Sequence, residues 1–351
     1  MDYHIDGTKL AYHPERVAQW LSSKDDWEKA KTLYPLYVEI APIGACNHRC
    51  TFCSVDFIGY KAVRQDKTRL SEILLEMGGL GVKSVMFAGE GEPLLHKDID
   101  EMVCFAKAAR MDVSFTTNGV LLDKLETLKN CTWVKVSLNA GKKETYAKIH
   151  QTNEKDWDTV WRNLEEGAKR KGDCTLGVQS VLLPDNSAEM VDLARRCRDS
   201  GVDYLVIKPY TQSKYGESRI YEGLTYENTS MDEVQKLSTP NFTVIAREKS
   251  MAQANKPISY DKCQATPYLW AYVMADGNVY SCGAYLLDQR FHLGNINEQD
   301  FKQIWHGEKR KRNWEFVRKE LDISECRKNC RMNASNIFLN SFGKIPHQNF
   351  I

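Results

Sequence analysis

The stretch Cys46-Asn-His-Arg-Cys50-Thr-Phe-Cys53 constrains this chain more than any other. Three residues separate its first two thiols and two separate the last pair. Soft thiolates at such spacing point to a metal centre, and an iron–sulfur cubane takes four of them. Here the local run supplies three, so one iron stays open to a different ligand. The competing readings are three buried cysteines, or a zinc site for which His48 is the one local candidate as fourth ligand.

Phe52 fills the aromatic position of a CxxxCxΦC pattern, and in this the run resembles the signature of the radical S-adenosylmethionine (radical SAM) superfamily. The resemblance implies a [4Fe–4S] cluster on Cys46, Cys50 and Cys53, with S-adenosylmethionine chelating the open iron. It further implies reductive cleavage to a 5′-deoxyadenosyl radical that abstracts a substrate hydrogen.

Composition narrows the partners. Lys plus Arg is 48 and Asp plus Glu is 47, a net charge of +1, which gives no electrostatic argument for nucleic acid. No apolar run approaches a membrane span, and the N-terminus lacks a secretory pattern. The expectation is a cytoplasmic protein. Its 11 cysteines would stay reduced there, so metal ligation explains them better than disulfides.

Along the chain, residues 1–36 read as an N-terminal helical extension, with Pro14 at a helix start and Val17, Trp20, Leu21 and Trp27 as a loose apolar face. From residue 37, strands alternate with helices. The strands are Val38–Pro42, Ser84–Ala88, Val113–Thr117, Trp133–Leu138, Leu176–Leu183 and Tyr204–Lys208. Helical spacing links Ile99, Met102, Val103 and Ala106, then Trp157, Val160, Trp161, Leu164 and Ala168. A third helix through Met190, Leu193, Ala194 and Cys197 opens at Asn186, with Glu189 placed to complete a cap. This alternation predicts an α/β chain with parallel βαβ units over 37–212. Six units fall short of a closed eight-unit barrel, so a partial, TIM-like (βα)6 barrel is expected, as in the radical SAM family. Residues 213–258 are polar and aperiodic, read as a linker or wrapping segment. A second module spans 259–335, and 336–351 form a C-terminal tail.

In such sheets ligands collect at the carboxyl ends of the strands. After the second strand comes Gly89-Glu90-Gly91-Glu92-Pro93, which resembles the family's GGEP loop, a holder of the cofactor's amino group. Gly91 and Glu92 map onto it, and either Glu90 or Glu92 could face the ligand. Thr116-Thr117-Asn118-Gly119 follows the third strand, where Asn-Gly also suits a simple turn. Ser137 and Asn139 follow the fourth. In the family, polar residues at these two strand ends touch the cofactor, which makes Asn118, Ser137 and Asn139 candidates beside Phe52. Gln179, Lys208 and Tyr210 could point into the barrel. Lys208 is suited to an anion, although a solvated strand-end lysine is about as good a reading.

The second module carries Cys263, Cys282, Cys326 and Cys330. Asp276-Gly277 predicts a hairpin turn between Ala271–Met274 and Val279–Ser281, which draws the first two cysteines together. The Cys263…Gly277-x4-Cys282 pattern and Leu293-Gly294-Asn295-Ile296 resemble the family's SPASM and twitch modules. They imply one auxiliary [4Fe–4S] cluster on the four thiols, within a small domain of hairpin and helix. The Cys-x3-Cys ending departs from the usual CxxC, and a four-ligand zinc knot is the competing reading. The run from Glu308 through Lys-Arg-Lys-Arg reads as a solvated basic helix face.

Cys104 and Cys197 lie on helices, while Cys131 and Cys174 precede strands at their amino ends. None is placed to return a hydrogen atom to a substrate radical, which disfavours an epimerase. The expected function is a dehydrogenase-type radical SAM oxidoreductase acting on a small sugar-like or aminocyclitol-like substrate, supplied with electrons by a flavodoxin or ferredoxin. A leader-guided peptide substrate would call for a recognition domain, and the 36 residues before the first strand are too few for one. A maturase or epimerase acting on a peptide or protein is the alternative, and a non-catalytic electron-transfer or zinc-scaffold protein lies outside that class. Lys208, Tyr210 and Glu90, with Tyr60 and Lys61, are the candidate proton acceptors.

Overall fold

A computed structural model describes residues 3–349 of the chain except 4, 6, 228, 255, 343–345 and 348. Ten strands form one sheet: β1 Tyr37–Ile40, β2 Ser84–Phe87, β3 Asp112–Thr117, β4 Trp133–Ser137, β5 Thr175–Leu182, β6 Tyr204–Pro209, β7 Thr243–Ala246, β8 Trp270–Val273, β9 Asn278–Tyr280 and β10 His292–Asn295. Their order is β10-β9-β8-β1-β2-β3-β4-β5-β6-β7. Pairing is parallel from β8 through β7 and antiparallel in the β8-β9-β10 meander.

The expected α/β architecture, a partial barrel with a C-terminal hairpin, is therefore present. Two of its details differ. Residues 213–258 are more than a linker, because β7 extends the parallel sheet beyond β6 and the helix Glu248–Gln253 follows it. The hairpin does not stand apart either: β8 pairs in parallel with β1, so the second module continues the barrel's own sheet.

Strand alternation sets the inside from the outside. In β4, Val134 and Val136 are buried in the main core while Trp133, Lys135 and Ser137 are half-buried. The first pair packs beneath the helices and the second set faces the barrel lumen. In β6, Leu205 and Ile207 join that same core, leaving Val206 and Lys208 on the lumen side. The covering helices use the expected stripes, such as Leu70, Ile73, Leu74 and Met77 of Lys67–Gly79, and Trp157, Val160, Trp161 and Leu164 of Glu154–Arg170. Asp66 caps the first through Arg69 N and Asn153 caps the second through Asp156 N.

Asn186 and Glu189 form no such cap. Asn186 Oδ1 accepts from Leu183 N and its amide donates to the carbonyls of Asn139 and Val181. Glu189 accepts from Gly141 N, Lys142 N and Thr145 Oγ1. Both side chains tie the loop after β4 instead of a helix end.

In the N-terminal extension, Val17 and Trp20 are buried with Leu33, Tyr268, Trp314 and Leu339, whereas Leu21 is exposed and lies off that face. The tail begins inside a helix, Asn333–Ser341, with Asn336 and Leu339 buried; part of 342–351 lies outside the described residues. The basic run is only partly a solvated face. Arg310 is fully buried, donating to the carbonyls of Trp305 (2.9 Å), Pro267 (2.8 Å) and Ala30 (3.3 Å).

Candidate active site

The loop after β1 carries Cys46, Cys50 and Cys53, all half-buried. A turn holds it, with Cys53 N donating to Cys50 O, and Arg49 donates to the carbonyls of Cys46 and His48 while lying over the Tyr60 ring. Burial pushes the Cys46 thiol up to about 11 and that of Cys50 well above its ordinary range, with the neighbouring thiols adding to the latter. Free thiolates are thus disfavoured, whereas iron would hold the same sulfurs deprotonated. Three thiols within one another's electrostatic reach, with no fourth beside them among the described residues, fit a cluster with one open iron.

His150 was missed by sequence reasoning. It ends the helix Lys143–His150, far from the cysteines in sequence, and no motif marks it. Its Nε2 accepts from Asn139 N (3.2 Å), so in the neutral ring the proton sits on Nδ1, which lies 3.5 Å from Cys50 Sγ. Burial favours that neutral ring. His48, Cys50 and His150 together also make a compact nitrogen–sulfur donor set within 4.8 Å. However, His48 Nε2 is engaged by Asp156 Oδ2 at 3.1 Å and His150 Nε2 by Asn139.

Gly91 packs tightly under this loop: a Cβ there would lie 2.1 Å from Ala45 O, and Glu92 N donates to Ala45 O. Glu92 is buried and fully engaged, accepting from Thr117 Oγ1 (2.6 Å), Asn118 N (2.6 Å) and Leu94 N (3.1 Å). Its carboxylate joins the β2 and β3 loops. Glu90 accepts from Ala275 N (2.8 Å), and burial raises it to about 7. Asn118 donates to Asn47 Oδ1 and accepts from Val120 N. Asn139 is a correction to its expected role: its amide meets His150 Nε2 and Val181 N, so it buttresses His150 and offers nothing to a ligand. Ser137 and Gln179 face the lumen in adjacent register, and Phe52 packs edge-on to His150.

Lys208 faces the lumen from β6, and Tyr210, just beyond it, donates to Gln212 Oε1. Glu90 follows β2, which three strands separate from β6 in the sheet order, so the candidate proton acceptors do not share one strand end.

The second set does converge. Cys263, Cys282, Cys326 and Cys330 line one largely apolar pocket with Tyr260, Tyr285 and Asn336. Burial raises the thiols of Cys282, Cys326 and Cys330, the last to about 11. Four thiols around one pocket, closed by the Cys-x3-Cys segment, fit a fully ligated cluster. The other four cysteines stay out of the lumen: Cys131, Cys174 and Cys197 are buried in the main core and Cys104 is exposed on a helix.

The sequence profile of the Radical SAM superfamily matches residues 40–197, and that of the SPASM iron–sulfur cluster-binding domain matches 263–331. The two matched stretches contain the two cysteine sets. The chain belongs to the radical SAM superfamily. The cofactors of this radical SAM protein follow: a [4Fe–4S] cluster, S-adenosylmethionine and an auxiliary cluster.

Similar chains include a GTP 3′,8-cyclase of Chlorobaculum tepidum, 30% identical over 59% of this chain and 66% of its own length. Another of the same name from Microcystis aeruginosa is 32% identical over 45% of this chain and 51% of its own. The matched stretch thus spans from about half to just under two thirds of these relatives. Among solved structures, Streptococcus suis SuiB bound to S-adenosylmethionine shares the fold, with a TM-score of 0.63, 18% identity, and coverage of 82% of this chain and 68% of that one. The AdoMet-bound anSMEcpe structure matches at TM-score 0.57 and 20% identity, covering 81% of this chain and 83% of that one. No helix among the described residues is long and apolar enough to cross a membrane.

Proposed function

We propose that this radical SAM enzyme takes a hydrogen atom from a carbon of a small polar substrate, sugar-like or aminocyclitol-like, and oxidises it, with a flavodoxin or ferredoxin as reductant. When bound, the three-cysteine cluster with S-adenosylmethionine would supply the hydrogen-abstracting radical, and the four-cysteine cluster an electron acceptor. Cys46, Cys50 and Cys53 would hold the first, and Cys263, Cys282, Cys326 and Cys330 the second. The observation that carries the oxidative reading is where the remaining cysteines lie. Cys131, Cys174 and Cys197 sit in the core and Cys104 on the outside, so none can return a hydrogen atom to a substrate in the lumen. The polar lumen residues Ser137, Gln179 and Lys208 suit a hydroxyl-bearing ligand. The proton released on oxidation goes to Glu90 or Lys208; Tyr210, a neutral phenol that donates to Gln212 Oε1, is not suited to take it.

A second reading is ring closure on a nucleotide, favoured by the name that relatives at 30% and 32% identity carry. Anaerobic incubation with reductant and S-adenosylmethionine separates the readings. Sugars, aminocyclitols, GTP and peptides are screened for 5′-deoxyadenosine release and for product mass. A sugar-like compound giving a product lighter by two hydrogens is the expected result. Stimulation by GTP alone supports the second reading, and stimulation by peptides alone rejects both. About eight irons per chain are expected for two cubanes; zinc with little iron would reject catalysis.

A further inference from the structure

Five basic side chains meet in the lumen. Lys135 projects there from β4 and Lys208 from β6, each on the side opposite its core-facing neighbours. Arg247 directly follows β7, and Arg327 and Arg331 enter from the segment that carries Cys326 and Cys330. Lys208 stands within electrostatic reach of Lys135, Arg327, Arg247 and Arg331.

Compensation reaches the arginines more than the two lysines. Arg331 pairs with Glu39 (3.2 Å) and donates to Tyr37 Oη (2.6 Å). Arg327 donates to the carbonyl of Thr211 (3.2 Å), while its Nε is buried without a partner. Among the described residues, Lys135 and Lys208 have neither a hydrogen bond nor an ion pair; Lys135 has only the Trp133 ring at 5.4 Å. The auxiliary cluster's own negative charge could offset Arg327, on which Cys330 acts most among the charged groups. It does not account for the two lysines, on which burial acts most and, among the charged groups, neighbouring basic side chains act most, with Glu39 also acting on Lys135. Lys135 and Lys208, half-buried beside three arginines and with no ion pair among the described residues, leave the site short of negative charge, and a ligand carrying more than one such charge relieves it. Arginine forks with lysine point charges suit tetrahedral oxyanions.

We propose that this lumen binds the phosphoryl group of the substrate, with Lys135 and Lys208 as its principal contacts and Arg247, Arg327 and Arg331 completing the cradle. The substrate is then a phosphate-bearing small molecule, either a phosphorylated or a nucleotide-linked sugar. This rests on the radical SAM reading and refines its substrate class. In this role Lys208 is a bound cation, which leaves Glu90 as the proton acceptor.

The test uses the cluster-loaded full chain, with inorganic phosphate as the probe and malonate as the carboxylate comparison. Isothermal titration is expected to show phosphate binding tighter than malonate, and at least tenfold weaker phosphate binding in Lys135→Gln/Lys208→Gln, with Lys236→Gln unchanged. Thermal unfolding gives an independent signature. Without ligand, the double variant should melt higher than the parent because repulsion is relieved, and phosphate should raise only the parent's midpoint. A double variant that melts lower and binds phosphate like the parent would make the lysines structural and overturn the proposal. Malonate binding tighter than phosphate, or no phosphate binding by the parent, also overturns it. Substrate-free cleavage of S-adenosylmethionine and the iron count, measured on the same samples, report separately on the radical SAM reading.

Discussion

His150 bridges Asn139 and Cys50, and the direction of its proton gives it a job. Because a backbone N–H must donate to Nε2, the ring presents Nδ1–H to the Cys50 sulfur. A hydrogen bond to a cluster sulfur stabilises the more negative, reduced state and raises the potential. His150→Phe keeps the stacking on Tyr146, whose ring centroid is 4.3 Å away, but removes the donor. If the bond is about 1 kcal/mol stronger to the reduced cluster, the potential falls by on the order of 50 mV. Redox titration followed by electron paramagnetic resonance reads this directly, and an unchanged potential would refute the bond. The two cysteine sets were legible from spacing because thiol spacing is local chemistry, while the convergence of the second set on one pocket comes only through the fold. His150 was not, because the fold brings it to Cys50 across the three strands β2 to β4 and the helices between them. Asn139 misled for the same reason: its strand-end position suggested a ligand contact, and only the register with Val181 revealed a buttress.

At the scale of elements, the runs of apolar residues marked six strands well, since buried parallel strands read as continuous Val, Ile and Leu. β7 escaped because Thr243–Ala246 is short and lies in a polar stretch; its place is set by pairing with β6 rather than by its own pattern. The junction of β2 with β8 gives a prediction. Glu90, 6% exposed, joins the two through Ala275 N, and burial raises it from 4.5 to about 7. The folded state therefore binds the proton more tightly than the unfolded one. Glu90's contribution is fully present below pH 4.5 and is lost as pH rises through about 7. Glu90→Gln keeps an acceptor for Ala275 N without the charge. Urea unfolding should find it more stable than the parent at pH 8 by roughly 2–3 kcal/mol, with the difference shrinking towards pH 4.5. A constant difference across that range would show that Glu90 does not titrate there.

For the molecule as a whole, the sequence suggested a barrel followed by a separable module, and the continuous sheet from β10 to β7 shows why that division is physically weak. The second module's β8 pairs with β1, and its helix Glu308–Lys319 sends Arg310 into the seam with the N-terminal extension. Arg310 is 1% exposed and covers the Trp305 ring at 3.9 Å. It donates to three carbonyls from separate segments: Ala30 in the extension, Pro267 just before β8, and Trp305. The basic run concealed this role, because charge patterning alone cannot distinguish one buried guanidinium among solvated neighbours. Arg310→Met retains much of the volume but leaves those carbonyls unpaired, each worth about 1–3 kcal/mol when buried. Part of that loss is offset because a buried charge is removed as well. A net destabilisation of roughly 2–4 kcal/mol is expected, with Arg310→Lys in between because one ammonium cannot reach all three acceptors. Thermal unfolding of the cluster-loaded chain measures it. Since the three segments share one donor, loss of stability should appear in a single transition, and a separate early transition of the C-terminal module would show that Arg310 does not unite them.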